Sequence, residues 1–104
     1  MDVEKIKQNL DWDYNFEKEQ NSINRSLCYT FAVDVFESTP RLVLYAVKRN
    51  GSMTDDLDEQ PPREMLLKAV VEQGGSLDKS RLYKINEEVR RWIEDNFLSM
   101  APGC

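Results

Sequence analysis

Two adjacent apolar runs constrain the fold of this chain more than any other feature of its sequence. They span residues 27–36 and 41–48, and both are rich in β-branched and aromatic side chains. The polar break between them, residues 37–40, ends in Pro40, which suits the start of a strand because it has no N–H to give to a ladder. The pattern predicts two antiparallel strands joined by a tight connection.

The two runs differ in the composition of their faces. In the first run one face is uniformly apolar, whereas the other is mixed and includes Asp34. In the second run both faces are apolar, which is typical of a central strand. We therefore expect one face of the sheet to remain partly uncovered and able to bind a partner, unless helices cover both faces. The residues predicted to form that partner-binding patch are Phe36, Val43, Tyr45 and Val47.

The segments that flank the runs in the first half of the chain predict one helix, one strand and two loops. Residues 2–10 place apolar side chains at steps of three and four, which indicates a short helix. Residues 11–17 alternate strictly between aromatic and polar, which predicts a strand with its aromatic side chains on one face; the alternative is a continuation of the first helix. Residues 18–25 and 52–60 are polar and are expected to form loops.

The C-terminal half predicts two or three helices. A Pro-Pro pair at 61–62 and a Gly-Gly pair at 74–75 bracket an apolar stripe, so we expect a helix between them. From about Ser80 the apolar residues recur at steps of three and four, which predicts an amphipathic helix that is either continuous or broken at Asn86, a good capping residue. The expected fold of residues 1–104 is a single α+β domain of two layers. It has an antiparallel sheet of about three strands, an N-terminal helix and two or three C-terminal helices.

The side chains available for chemistry are few. The chain has no histidine, which removes the commonest general base and the commonest metal ligand. Cys28 falls inside a predicted strand and Cys104 ends the sequence, so we expect a reduced thiol in the core rather than a disulfide. The acidic stretch 55–59 lacks the glycine and the distal glutamate of a calcium loop. We predict a protein without enzymatic activity, cofactor or metal.

Charge and hydropathy narrow the choice of partner. The formal net charge is -5, from 14 Lys and Arg against 19 Asp and Glu, and this acidity disfavours phosphate backbones and membrane surfaces. No stretch has the length of a membrane span, and the N-terminus has no signal-peptide pattern, so we expect a cytoplasmic protein. The excess of acid belongs to residues 1–60, because residues 61–104 hold seven basic and seven acidic side chains.

Two classes of function remain. The leading hypothesis is a protein-interaction module, such as a chaperone, inhibitor or adaptor, that binds another protein or a second copy of itself through a sheet face or an edge strand. The alternative is a nucleic-acid-binding protein in which residues 64–94 form a helix-turn-helix-like unit. Acidic side chains interleave with the cations of that unit, which favours the first hypothesis. The predicted phosphate contacts of the alternative are Arg81, Lys84, Arg90 and Arg91.

The order of the predicted elements and the acidic charge resemble those of two kinds of small cytosolic α/β protein, the type III secretion chaperones and the toxin immunity proteins. The resemblance rests on element order and charge, without a sequence motif, so it transfers no residue roles. It implies a protein that holds or blocks another protein.

Overall fold

The predicted pair of antiparallel strands forms the centre of a four-stranded sheet. The computed structural model describes residues 3–16, 28–48 and 51–98. The sheet is antiparallel throughout, in the order β3-β2-β1-β4. The elements run in the order α1 (Val3–Asn9), β1 (Cys28–Phe36), β2 (Thr39–Lys48), β3 (Gly51–Asp56), α2 (Arg63–Glu72), β4 (Arg81–Lys84) and α3 (Glu87–Ile93), and α3 continues into a π-helical turn over Glu94–Leu98.

The α+β class, the antiparallel sheet and the N-terminal helix are confirmed, and the sheet has four strands where about three were expected. Neither β3 nor β4 was expected. β3 was predicted to be a loop because its side chains are polar; it needs no apolar face because only its backbone pairs with β2, and five of its six residues are exposed. β4 was predicted to be helical from the spacing of Leu82 and Ile85, but it is an extended segment whose Tyr83 lies in the core.

One face of the sheet carries the helices and the larger of two hydrophobic clusters. Phe31, Val33 and Leu44 from the central strands meet Leu66 of α2 and Ile93 of α3 in this cluster. α1 adds Ile6 to the same cluster, so all three α-helices pack on this face. The expected two-layer arrangement of helices on one side of a sheet follows from these contacts.

The C-terminal helices begin where the sequence predicts. α2 follows the Pro-Pro pair directly and ends before Gly74. α3 begins after Asn86, whose side-chain Oδ1 accepts a hydrogen bond of 2.9 Å from the Val89 N–H. A boundary therefore lies at Asn86 as one of the two alternatives expected, but it separates strand β4 from α3 and not one helix from another.

Close packing against Gly75 holds β4 beside α2. A Cβ atom at Gly75 would collide with the Tyr83 ring, so a glycine is required for the ring to lie over this backbone. The Tyr83 hydroxyl donates a hydrogen bond of 3.2 Å to the Ser76 carbonyl, which ties the α2–β4 connection to the strand. Within the described ranges, no helix is both long enough and apolar enough to cross a membrane.

Candidate functional site

The patch predicted to lie open on the second face of the sheet is mostly covered. Val43, Tyr45 and Val47 are 0%, 3% and 8% exposed and belong to the smaller hydrophobic cluster, so the expectation that they are accessible is wrong. Phe36, at the end of β1, is 64% exposed. Phe36 is thus the accessible member of the four, and partner binding by this patch stays a prediction.

An aromatic segment, residues 10–16, covers the second face in place of a helix. The predicted strand over residues 11–17 is wrong for the described part, residues 11–16, and its last residue lies outside the described ranges. Leu10 bridges to Tyr29, and the Asp11 N–H donates to the Tyr29 carbonyl at 2.8 Å, along the stretch of β1 that extends beyond β4. A local turn follows, in which the Asp13 N–H donates to the Asp11 side chain at 3.0 Å. The chain therefore passes around the sheet edge at this point.

This passage sends aromatic side chains of one segment to opposite faces. The Trp12 ring stacks on Phe31 on the helix-bearing face, with centroids 5.8 Å apart. The rings of Tyr14 and Phe16 lie 5.7 and 5.2 Å from the ring of Tyr45 on the second face. Alternation alone predicts a shared face, and the turn at Asp11 is the reason that it fails.

The hairpin end of the second face carries charged side chains. The register places Asp34 opposite Arg41, and the Arg41 Nε lies 3.8 Å from an Asp56 carboxylate oxygen. Burial raises the pKa of the Asp34 carboxyl above its ordinary value, and the negative charge of Asp56 adds to the rise. These groups and the exposed Phe36 occupy the hairpin end of the face, beyond the aromatic cover.

The structure does not assemble the predicted nucleic-acid site. The expected helix-turn-helix-like unit is wrong at Arg81 and Lys84, because both lie on strand β4. Arg90 and Arg91 lie on α3, where each forms an ion pair with Glu87 at 3.9 and 3.6 Å. The guanidinium of Arg90 also lies over the ring of a tryptophan in the aromatic segment, 5.1 Å from its centroid. The four cations thus fall into two separate groups, and the helical pair is neutralised by neighbours on its own helix.

Two glutamine side chains pair with the backbone at strand edges. Their amide groups take the place of the N–H and C=O that a neighbouring strand would offer. β2 extends beyond the end of β3, and there the Leu42 N–H donates to Gln60 Oε1 at 2.7 Å while Gln60 Nε2 donates to the Leu42 carbonyl at 2.8 Å. In the same way, Gln73 pairs with both backbone groups of Lys84 at the outer edge of β4. Each amide satisfies a donor and an acceptor that would otherwise face solvent.

Pro40 also makes the same edge of β2 unsuitable for pairing, but by a different means. Backbone groups of successive strand residues point alternately to the two sides, so Pro40 and Leu42 face the same way. Proline has no N–H to offer there. Because Gln60 already pairs with the next outward residue, Leu42, this stretch of β2 has few free backbone groups for another strand to bind.

The outer edge of β3, by contrast, is bare within the part of the chain that the structure describes. Because Leu42 faces the β3 side, the alternation makes Met53 and Asp55 pair inward with β2. The backbone groups of Ser52, Thr54 and Asp56 consequently point outward, and no hydrogen bond joins them to another described residue. All three residues are exposed.

Sites of other kinds receive less support from the described ranges. An open cleft of about 450 Å³ lies between α2 and α3, but its charges compensate each other, with Lys68 and Glu88 3.2 Å apart. No group of three or more metal-ligating side chains comes together in the described residues. The acidic stretch 55–59 spans the end of β3 and the start of the next connection, and its central Leu57 is buried in the main cluster.

Sequence reasoning missed the glutamine contacts and the bare edge for different reasons. Gln60 and Gln73 sit in polar connections, and nothing in the local pattern indicates which backbone a side-chain amide will reach. The edge of β3 had a weak signal: it follows β2 closely and carries Thr54 in a mostly polar stretch, a composition that also fits a loop. Comparison with protein-family models, with curated proteins and with solved structures finds no match to this chain.

Proposed function

We propose that this protein is a non-enzymatic interaction module that binds an extended segment of another protein along β3. The observation that carries the proposal is the contrast between edges. Backbone groups at Leu42, Lys84 and Tyr29 are each paired by a contact from outside the regular ladder. The outward groups of β3 have no such partner among the described residues.

The length of the bare edge suits strand addition. Three successive outward residues, Ser52, Thr54 and Asp56, offer three donors and three acceptors to a partner strand. β2 holds β3 in register over Val43–Lys48, so the edge is already extended before binding. A partner therefore orders its own backbone and not that of β3, which reduces the entropic cost of association.

Charge determines the chemistry of the partner. Asp55 and Asp56 are consecutive and exposed, so their carboxylates lie on opposite faces of the edge. Asp58 and Glu59 continue the negative charge just beyond the strand. The partner that this edge favours is a β-forming segment with two adjacent basic residues at the end that meets Asp55 and Asp56, one for each face.

The direct test removes one outward N–H from the edge. In Thr54→Pro the lost N–H is one that the sheet does not use, so the fold is expected to persist, as checked by circular dichroism. The probe is a seven-residue peptide of alternating valine and threonine that ends in two lysines. We expect the peptide to bind the unaltered protein and to lose affinity on the order of tenfold with Thr54→Pro, from one lost hydrogen bond and the bulk of the ring.

Two controls separate strand addition from general charge attraction. Thr54→Ala keeps the N–H and is expected to retain the affinity within about twofold. The matched peptide ending in two glutamates is expected to bind much more weakly. Equal affinities of Thr54→Pro and Thr54→Ala for the lysine peptide would overturn the proposal. A mass in solution of two chains, abolished by Thr54→Pro, would assign the edge to a second copy instead.

A further inference from the structure

A cavity of about 250 Å³ at the opposite edge of the sheet differs in its lining from the clefts that adjoin α3, which carry carboxylates. It lies along the outer edge of β4, between the end of the aromatic segment and the end of α2. Among the described residues that line it there is no carboxylate, although the chain as a whole carries a net charge of -5. The lining residues are Asn15, Phe16, Gln73, Arg81, Leu82 and Lys84.

The two cations of this cavity lack the ion pairs that several other cations of the described chain form. Arg41, Lys68 and Arg90 each lie within 4 Å of a carboxylate. Neither Arg81 nor Lys84 forms an ion pair with another described residue. The Arg81 guanidinium lies over the Tyr83 ring, 4.8 Å from its centroid, which leaves its edge N–H groups available to an acceptor. Two positive charges thus share one concave space.

The backbone adds a donor at the same place. Because Gln73 pairs with Lys84 from outside the sheet, the alternation along β4 makes Leu82 face outward as well. No hydrogen bond joins the Leu82 N–H to another residue of the described chain. Gln73 blocks the next position along this edge, so a further strand cannot extend past it, whereas a small group can reach Leu82.

We propose that this cavity binds a small oxyanion attached to an apolar, planar body. The oxyanion accepts hydrogen bonds from the Arg81 guanidinium, the Lys84 ammonium and the Leu82 N–H. The planar body packs on Phe16 and Leu82. The volume is just below the range typical of drug-sized ligands, so the ligand class is a small aromatic phosphate or carboxylate. The site lies across the sheet from β3 and does not rest on the strand-addition proposal.

The test is a titration followed by amide chemical shifts, with phenyl phosphate as the probe. We expect the Leu82 and Lys84 amides to shift together in a saturable manner. Raising the salt concentration should weaken binding, because the charges are exposed. Arg81→Gln and Lys84→Gln are each expected to raise the dissociation constant by about threefold to tenfold, as for a partly exposed charge-assisted hydrogen bond. Benzoate in place of phenyl phosphate distinguishes the two oxyanions, and binding of either supports the site.

Matched controls distinguish a specific oxyanion site from general electrostatic attraction to a positive charge. Lys79→Gln removes the same charge from the neighbouring connection, at an exposed residue outside the cavity, and should leave the dissociation constant unchanged. An equal loss in Lys79→Gln would overturn the proposal. The absence of a saturable shift at Leu82, or equal binding of the uncharged benzyl alcohol, would overturn it as well.

Discussion

The two faces of the sheet are covered by different means. The helix-bearing face is buried under α1, α2 and α3, whose apolar side chains recur at helical spacing. The second face is covered at Tyr45 by the aromatic segment, which has no regular structure beyond one bridge and a turn. Helices bring many side chains to a face through one regular element, whereas the aromatic segment depends on a few large rings.

Both proposed binding sites lie at the edges of the sheet, and this difference between the faces gives the reason. The middle parts of both central strands are buried on the two faces, so the accessible backbone lies mainly at the edges. The structure closes part of each edge with a glutamine and leaves β3 open among the described residues. If the helix-bearing face carries most of the stability, substitutions on the two faces should differ in cost.

The largest expected effect is on the helix-bearing face. Leu66 of α2 is fully buried in the main cluster. Leu66→Ala leaves an enclosed cavity there, and we expect a loss of about 2 to 5 kcal/mol in the free energy of unfolding. Urea denaturation followed by circular dichroism measures it. A loss below that of Tyr14→Ala would reverse the ranking of the two faces.

The second face should lose less in the matching experiment. Tyr14 is buried against Tyr45, but it lies on an outer segment of the chain. Water can therefore fill the space that the ring leaves when it is removed. We expect Tyr14→Ala to cost about 2 kcal/mol and to increase the binding of a hydrophobic dye, because the ring of Tyr45 becomes exposed. Tyr14→Phe retains the ring and should not increase dye binding. An unchanged dye signal in Tyr14→Ala would show that other groups cover this patch.

A smaller effect is expected at the start of α3. Asn86 accepts a hydrogen bond from the Val89 N–H, which otherwise has no partner within the helix. Asn86→Ala should cost about 1 kcal/mol, and Asn86→Ser should recover most of that loss because its hydroxyl also caps a helix. Thermal unfolding of both variants provides the measurement. Equal stabilities of the alanine and serine variants would mean that the cap does not contribute.

The smallest effect concerns the charged end of the second face and depends on pH. The folded protein raises the pKa of Asp34, so it binds this proton more tightly than the unfolded chain does. Stability from this group is therefore present below the unfolded pKa, about 3.9, and is lost as pH rises through the folded value. Asp34→Asn should raise the melting temperature slightly at pH 7 and not at pH 3. Asp58→Asn, on an exposed loop, removes the same charge as a control; an equal gain in both variants would contradict a specific role of Asp34.

The parts of the fold that could be predicted are those with a repeated apolar signal. Strands β1 and β2 alternate or run continuously apolar, and α2 and α3 have helical spacing with start signals at the Pro-Pro pair and Asn86. Those patterns are local, so a single sequence is enough to read them. β3 and β4 could not be predicted in this way. β3 has no apolar face, and β4 is only four residues long.

The candidate sites could hardly be predicted from the sequence. Val43, Tyr45 and Val47 were correctly recognised as an apolar surface, but their cover comes from residues some thirty positions earlier in the chain. The sequence shows the charges of Arg81 and Lys84, yet their shared cavity depends on Phe16 and Gln73. Such contacts join residues far apart in sequence, and no local period encodes them.

The sequence by itself determined the α+β class, the central hairpin and the helix starts, because burial period, proline and capping residues act within a few positions of one another. Only the tertiary structure decided that the aromatic segment turns at Asp11 and covers Tyr45, that Gln60 and Gln73 close strand edges, and that β3 stays open. The physical reason is that side-chain packing and backbone pairing between distant segments depend on where the chain passes in space.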